Sequence, residues 1–260
     1  ELQLQGKMDM KWWSVCWKKF VGGAISIGSG LLLGREGPSI QLGASVGQGV
    51  AETLKANRVQ KNVFISSGAG AGLAAAFNAP IAGLMFVLEE VHHTFSPLVA
   101  VTTLTAAIVA NFISLNIFGT HASLNLGNDQ RFPINYYGYV VLLGIILAIF
   151  GLAYHRLTLA LPTIYKKLFP KVAPYNYCII AFMLIIPLGM WNPHVLGGGG
   201  ELVLALVKEN HTVQFLIGLF VIRFVYSMIS YGTGLPGGIF LPILSLGALL
   251  GLAYAEFLID

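Results

Sequence analysis

The chain has 260 residues, 56% of them hydrophobic and 10% charged, with a formal net charge of +4. Soluble domains carry about a quarter charged residues, so an ordinary soluble fold is excluded. Uncharged stretches at 62–88, 91–128, 132–155, 172–200 and 224–255 each exceed the roughly 20 residues that span a bilayer as a helix, and the fold class they predict is an all-α polytopic membrane protein.

Lysine and arginine gather at 7–19, 55–61 and 166–171, between the apolar stretches, where they read as aqueous loops or headgroup contacts. They form no basic face with interleaved aromatics, so nucleic acid is not an expected partner. The first helix is expected over 13–33. It runs into Gly34-Arg35-Glu36-Gly37-Pro38, which places an arginine and a glutamate between Phe20 and Glu52 in a stretch with no other acidic or basic residue. An ionisable group inside a membrane is costly enough to mark a functional site. Two readings of Glu36 stand: a buried ion pair with Arg35, or a carboxylate occupying the place of a permeant anion. Adjacent side chains at a helix start diverge, which favours the second.

The next helix is expected over 38–54, with Pro38 at its start, where a missing N–H costs nothing. A helix that begins inside the membrane turns unbonded amides and the positive end of its dipole inward. That end attracts an anion, and glycines before it let the backbone come close. A helix over 61–77 carries Gly68, Gly70 and Gly72, which imitate a dinucleotide fingerprint. The residue three after Gly70 is Leu73 rather than glycine, and close helix packing accounts better for the small residues.

A helix over 80–93 ends on Glu89, Glu90, His92 and His93. On an α-helix the two glutamates lie about 100° apart, so at most one faces any pocket. Both histidines complete a Glu-x-x-His element, but the further ligands of a di-iron site are missing, and the histidines are expected to face solvent. Helices over 97–118, 136–161, 175–190, 212–230 and 240–258 follow. Cys16 and Cys178 are expected to be free buried thiols without metal-ligand spacing. No cofactor is expected, and no nucleophile–base set suggests an enzyme.

One internal similarity connects the two halves. Pro38 is followed by Gly43 and Gly47, and Pro242 by Gly247 and Gly251 at the same offsets. This register sets Glu36 opposite Phe240 and Gly34 opposite Gly238. Paired helix starts interrupted by glycine and proline are the sequence mark of a midplane binding site in transporters.

On these residues the chain resembles the CLC family of chloride channels and proton/chloride exchangers. Gly34 to Pro38 resembles its external-gate motif, Gly68 to Pro80 with Glu89-Glu90 the segment leading to its internal proton-transfer glutamate, and Gly237 to Pro242 its second anion-binding helix start. The run Leu196 to Glu201 resembles a glycine-rich loop before that start. The resemblance implies an inverted-repeat architecture of broken and tilted helices, truncated at both ends, with about 1–130 from the first repeat and 131–260 from the second. It implies that Glu36 gates and transfers protons on the external side and that Glu90 transfers them on the internal side. Backbone amides around Arg35, Glu36 and Gly37, and around Ile239, Phe240 and Leu241, would bind the anion. The internal glutamate favours exchange of chloride for protons over passive conduction, which remains the alternative. The implied partners are chloride, protons, the lipid bilayer and a second copy in a homodimer, in the plasma membrane of a bacterium.

The chain begins at Glu1 rather than Met and is read as a piece of a longer polypeptide. The family's anion-selecting serine loop would fall before Glu1 and its coordinating tyrosine after Asp260. Vesicles holding only these 260 residues are therefore expected to show no chloride-coupled proton movement, measured as vesicle acidification under a chloride gradient.

Overall fold

The computed structural model describes residues 10–119, 136–206 and 211–259. Ten α-helices are named among them, and they fall into two compact units: Glu1–Ile25 with Arg35–Ser123, and Ser26–Gly34 with Leu124–Asp260. The expected repeat boundary at 130/131 lies outside the described residues. Among the described residues, five helical segments are long and apolar enough to cross a membrane: Pro97–Phe118, Tyr137–Leu168, Pro174–Trp191, Val213–Gly232 and Phe240–Leu258. The protein is an integral, multi-pass membrane protein.

The first unit holds most of α1 (Trp12–Gly28), then α2 (Glu36–Thr53), α3 (Arg58–Phe77), α4 (Pro80–Phe86) and α5 (Pro97–Phe118). Helix α3 starts three residues earlier than expected, because Asn57 and Gln60 form a reciprocal capping box. It ends at Asn78 in the left-handed conformation, φ 58°, and Pro80 and Pro97 open α4 and α5 as expected. At the other end of α2, Glu52 receives Lys61 Nζ and Gln48 Nε2, both at 2.8 Å. The lysine and the glutamine hold this carboxyl below the usual carboxylate range.

Glycines explain how α2 and α3 meet. A Cβ on Gly43 would lie 2.1 Å from the Gly68 carbonyl oxygen, and one on Gly68 2.2 Å from that of Gly43. Gly47 sits in the same way against Phe64, and Gly72 against Ser39. Gly70 turns to the other side, where a Cβ would meet Thr103 at 2.6 Å. The alternating glycines of α3 therefore serve two neighbours, as small-residue packing in membranes requires.

The second unit holds residues 26–34, α6 (Tyr137–Leu168), α7 (Tyr177–Trp191), α8 (Gly200–Leu206), α9 (Val213–Gly232) and α10 (Phe240–Ile259). The first helix does not run to residue 33: α1 stops at Gly28, and Gly30 takes φ 98°. Leu31, Leu32 and Leu33 then pass through the core of this unit fully buried. Their non-helical backbone is bonded by distant residues. Leu32 N–H donates to Ser230 Oγ at 3.3 Å, and Gly197 N–H to Gly30 O at 2.9 Å. Helix α6 continues past the expected end at 161 through Pro162. Tyr165, beyond that proline, donates to Ile229 O at 2.7 Å, and Tyr154 shares a 2.6 Å bond with Ser227. Helix α8 begins at the end of the glycine-rich run 196–201 and continues to Leu206, where no helix was expected.

Replacing Gly43 or Gly68 with alanine forces two backbones apart and is expected to cost at least about 1–3 kcal/mol. Gly218→Ala on α9, where a Cβ meets nothing within 4 Å, is expected to leave stability unchanged. Thermal unfolding of the three variants in detergent checks this.

Candidate functional site

Helix α2 begins at Glu36, two residues before the expected start, so Pro38 sits within its first turn. No side chain caps this end; Ser39 N–H donates to Arg35 O at 3.1 Å and its hydroxyl to the same oxygen at 2.9 Å. The first amides of any α-helix lack an acceptor within the helix, and here a carboxylate stands among them. Glu36 is 7% exposed. Arg35 is exposed, with its guanidinium carbon 5.9 Å from the centre of the Phe77 ring. Within the first unit, Arg35 also borders a cleft of about 630 Å³ lined by Ser39, Asn78 and Ser114.

Helix α10 begins at Phe240, the residue the internal register sets opposite Glu36. The same register pairs Gly34 with Gly238, and the structure joins these two residues by backbone. Gly34 N–H donates to Gly238 O at 2.8 Å, and Gly238 N–H to Gly34 O at 2.7 Å. Each helix starts two residues after its glycine of this pair. A Cβ on Gly237 would lie 2.6 Å from Leu33 Cβ, so glycine is needed for the strands of backbone to come this close. Ile239 packs into the aromatic cluster around Tyr154, Leu241 lies under Gly198, and the Phe240 side chain is 53% exposed. What this start offers inward is backbone.

Glu89 and Glu90 both lie in a π-helical turn, Val87–His92, that ends α4, and both are exposed. The expected uniform α-helix over 80–93 is thus corrected. The turn closes on His93, left-handed at φ 53°. Such single π turns recur at functional sites. His93 is exposed as expected, but His92 is only partly exposed, its Nε2 lying 2.8 Å from the hydroxyl of buried Ser66. Burial pushes the His92 imidazole below its usual range. Cys16 and Cys178 are free thiols, partly rather than fully buried.

Sequence reasoning missed Arg223. It is fully buried on α9 and donates to the carbonyl oxygens of His194, Leu196 (3.4 Å) and Gly197 (3.3 Å), and to Ser245 Oγ (3.1 Å). The signal that singled out Glu36 applies to it equally: a lone charge in an apolar run, uncharged from 211 to 222 and from 224 to 255.

Comparison with known proteins gives one consistent result. The model of the voltage gated chloride channel family matches residues 1–260. The H(+)/Cl(−) exchange transporter ClcA of Klebsiella pneumoniae is 33% identical over 97% of this chain and 55% of its own length. That of Vibrio vulnificus is 34% identical over 97% and 56%. The chain thus spans about half the length of the curated relatives it matches. A crystal structure of a slow cyanobacterial Cl−/H+ antiporter superposes with a TM-score of 0.87 at 32% identity, covering 98% of this chain and 60% of that one. A CLC-type fluoride/proton antiporter shares the fold, with a TM-score of 0.80 at 24% identity, covering 96% and 62%.

Proposed function

We propose, from the premise that the chain belongs to the voltage-gated chloride channel family, that it forms the central part of a transporter exchanging chloride for protons. The observation that carries this reading is Glu36, a buried carboxylate in the first turn of a helix whose start has no side-chain cap. Amides and the positive end of a helix dipole suit a small anion and a carboxylate alike. Glu36 therefore competes with chloride for the start of α2, and it yields the place when it takes up a proton. The amides around Arg35, Glu36 and Gly37 bind an anion at the start of α2, and those around Ile239, Phe240 and Leu241 bind one at the start of α10.

Glu90 is the internal proton-transfer group. It stands exposed in the π turn, where water reaches it, and it makes the reading one of coupled exchange rather than conduction. The curated relatives named above as H(+)/Cl(−) exchangers support the same choice. The whole protein acts as a homodimer in the plasma membrane of a bacterium.

In the whole protein, Glu90→Ala is expected to lower proton movement by about 100-fold, the scale of a lost proton-transfer group, while chloride flux persists. Proton and chloride fluxes measured side by side in phospholipid vesicles test this, and undiminished uphill proton movement in that variant would sink the assignment. Glu36→Ala is expected to leave a chloride flux that no longer varies with pH and drives no protons. If the unaltered protein carries chloride without moving protons against their gradient, the passive channel is the correct reading.

A further inference from the structure

We infer that Arg223 is the positioning residue of the anion site at the start of α10, acting through the backbone it holds and through its buried charge; the inference rests on the exchange reading above. A cation taken fully out of water normally needs a carboxylate partner. Among the described residues none pairs with Arg223. Its fork instead gathers the carbonyls of His194, Leu196 and Gly197, and its other arm reaches Ser245 on α10. Its Nε–H is buried with no hydrogen-bond partner among the described residues. Carbonyl dipoles and one hydroxyl only partly offset a full positive charge, so the interior of this unit keeps a net positive field.

The geometry aims that field at α10. Ser245 is the sixth residue of the helix, so the guanidinium meets it about 8 Å along the axis from Phe240. A buried charge at that range is little screened. It has the same sign as the helix's N-terminal dipole and adds to it. The Ser245 hydroxyl passes the contact on, donating to Pro242 O at 2.9 Å within the first turn. The approach depends on a glycine as well. Gly199 takes φ 98°, and a Cβ there would lie 2.4 Å from Ser245 Cβ and 2.6 Å from Arg223 Nη2. The glycine run 197–200 is thus the wrapping of a buried cation. Lysine cannot replace its several fixed donors, though it keeps the charge.

Chloride dependence of transport by the whole protein in phospholipid vesicles tests this, with folding checked by gel filtration. In Arg223→Met the half-saturating chloride concentration is expected to rise about tenfold, the effect of losing roughly 1.4 kcal/mol of electrostatic support, while maximal turnover stays within about twofold. A merely structural residue would lower turnover or folded yield without that split. Arg223→Lys is expected to recover part of the affinity. Ser245→Ala is expected to shift half-saturation in the same direction by about threefold, as for one lost hydrogen bond. If Arg223→Met does not fold, Ser245→Ala decides alone. Wild-type half-saturation in the folded Met variant, or in Ser245→Ala where that variant decides, overturns the inference, as does a lysine variant no better than methionine. An unaltered protein that moves no chloride overturns the exchange reading and this inference together, whereas normal wild-type transport with unshifted variants overturns this inference alone.

Discussion

In hydrocarbon, a backbone group that leaves a helix has no water to turn to and must find another partner. Residues 29–34 leave one, and the pair of hydrogen bonds between Gly34 and Gly238 is where their path is secured. Much of the second unit follows from that constraint. Gly197 and Ser230 each bond one further group of the segment, Leu31 to Leu33 fill the core it crosses, and Ser26 donates to Pro236 O at 2.6 Å beside the bridge. The loop before α10 is thereby tied at Pro236 and at Gly238, two residues ahead of the helix start. A helix start with backbone fixed in this way is pre-organised, and pre-organised dipoles stabilise a charge without reorganising when it arrives.

The glycines divide into kinds that spacing alone does not distinguish. Gly43 and Gly47 sit against the backbone of α3, where a methyl group has no room. Their register partners Gly247 and Gly251 would meet nothing within 4 Å. The repeat is therefore close in the feature that terminates and starts helices, and loose in how each helix packs afterwards. Helix starts are set by local backbone chemistry, whereas packing depends on the neighbour that each half supplies.

Glu36, the proline-opened starts of α4 and α5, and the small-residue role of Gly68, Gly70 and Gly72 were legible in the sequence, because each follows from residues within one or two turns. The end of α1 was not. Residues 31–33 read as apolar helix, and what straightens them lies some 160 to 200 residues away at Gly197, Ser230 and Gly238. Helix α8 was hidden because its first residue is the last of four glycines, which read as loop. The π turn at Val87–His92 carries no Gly or Pro to announce it, and the Ser66 contact that draws His92 inward spans 26 positions. Arg223 broke the same rule that exposed Glu36, yet a single charge beside long uncharged stretches is easily absorbed into the count of an apolar helix.

Two buried ionisable side chains, Glu36 and Arg223, sit in settings that differ in kind. Glu36 stands at a helix start, and the amides and dipole of such a start favour negative charge with little regard for its carrier. On the proposed exchange reading, chloride and the carboxylate compete for that place. The guanidinium of Arg223 is held at its two terminal nitrogens by three carbonyls and the Ser245 hydroxyl, and Gly199 at φ 98° lets them come close. No small cation matches that pattern. On the proposed exchange reading, the group on α2 gives way to a passing ion, whereas the one on α9 remains as a constant source of positive potential.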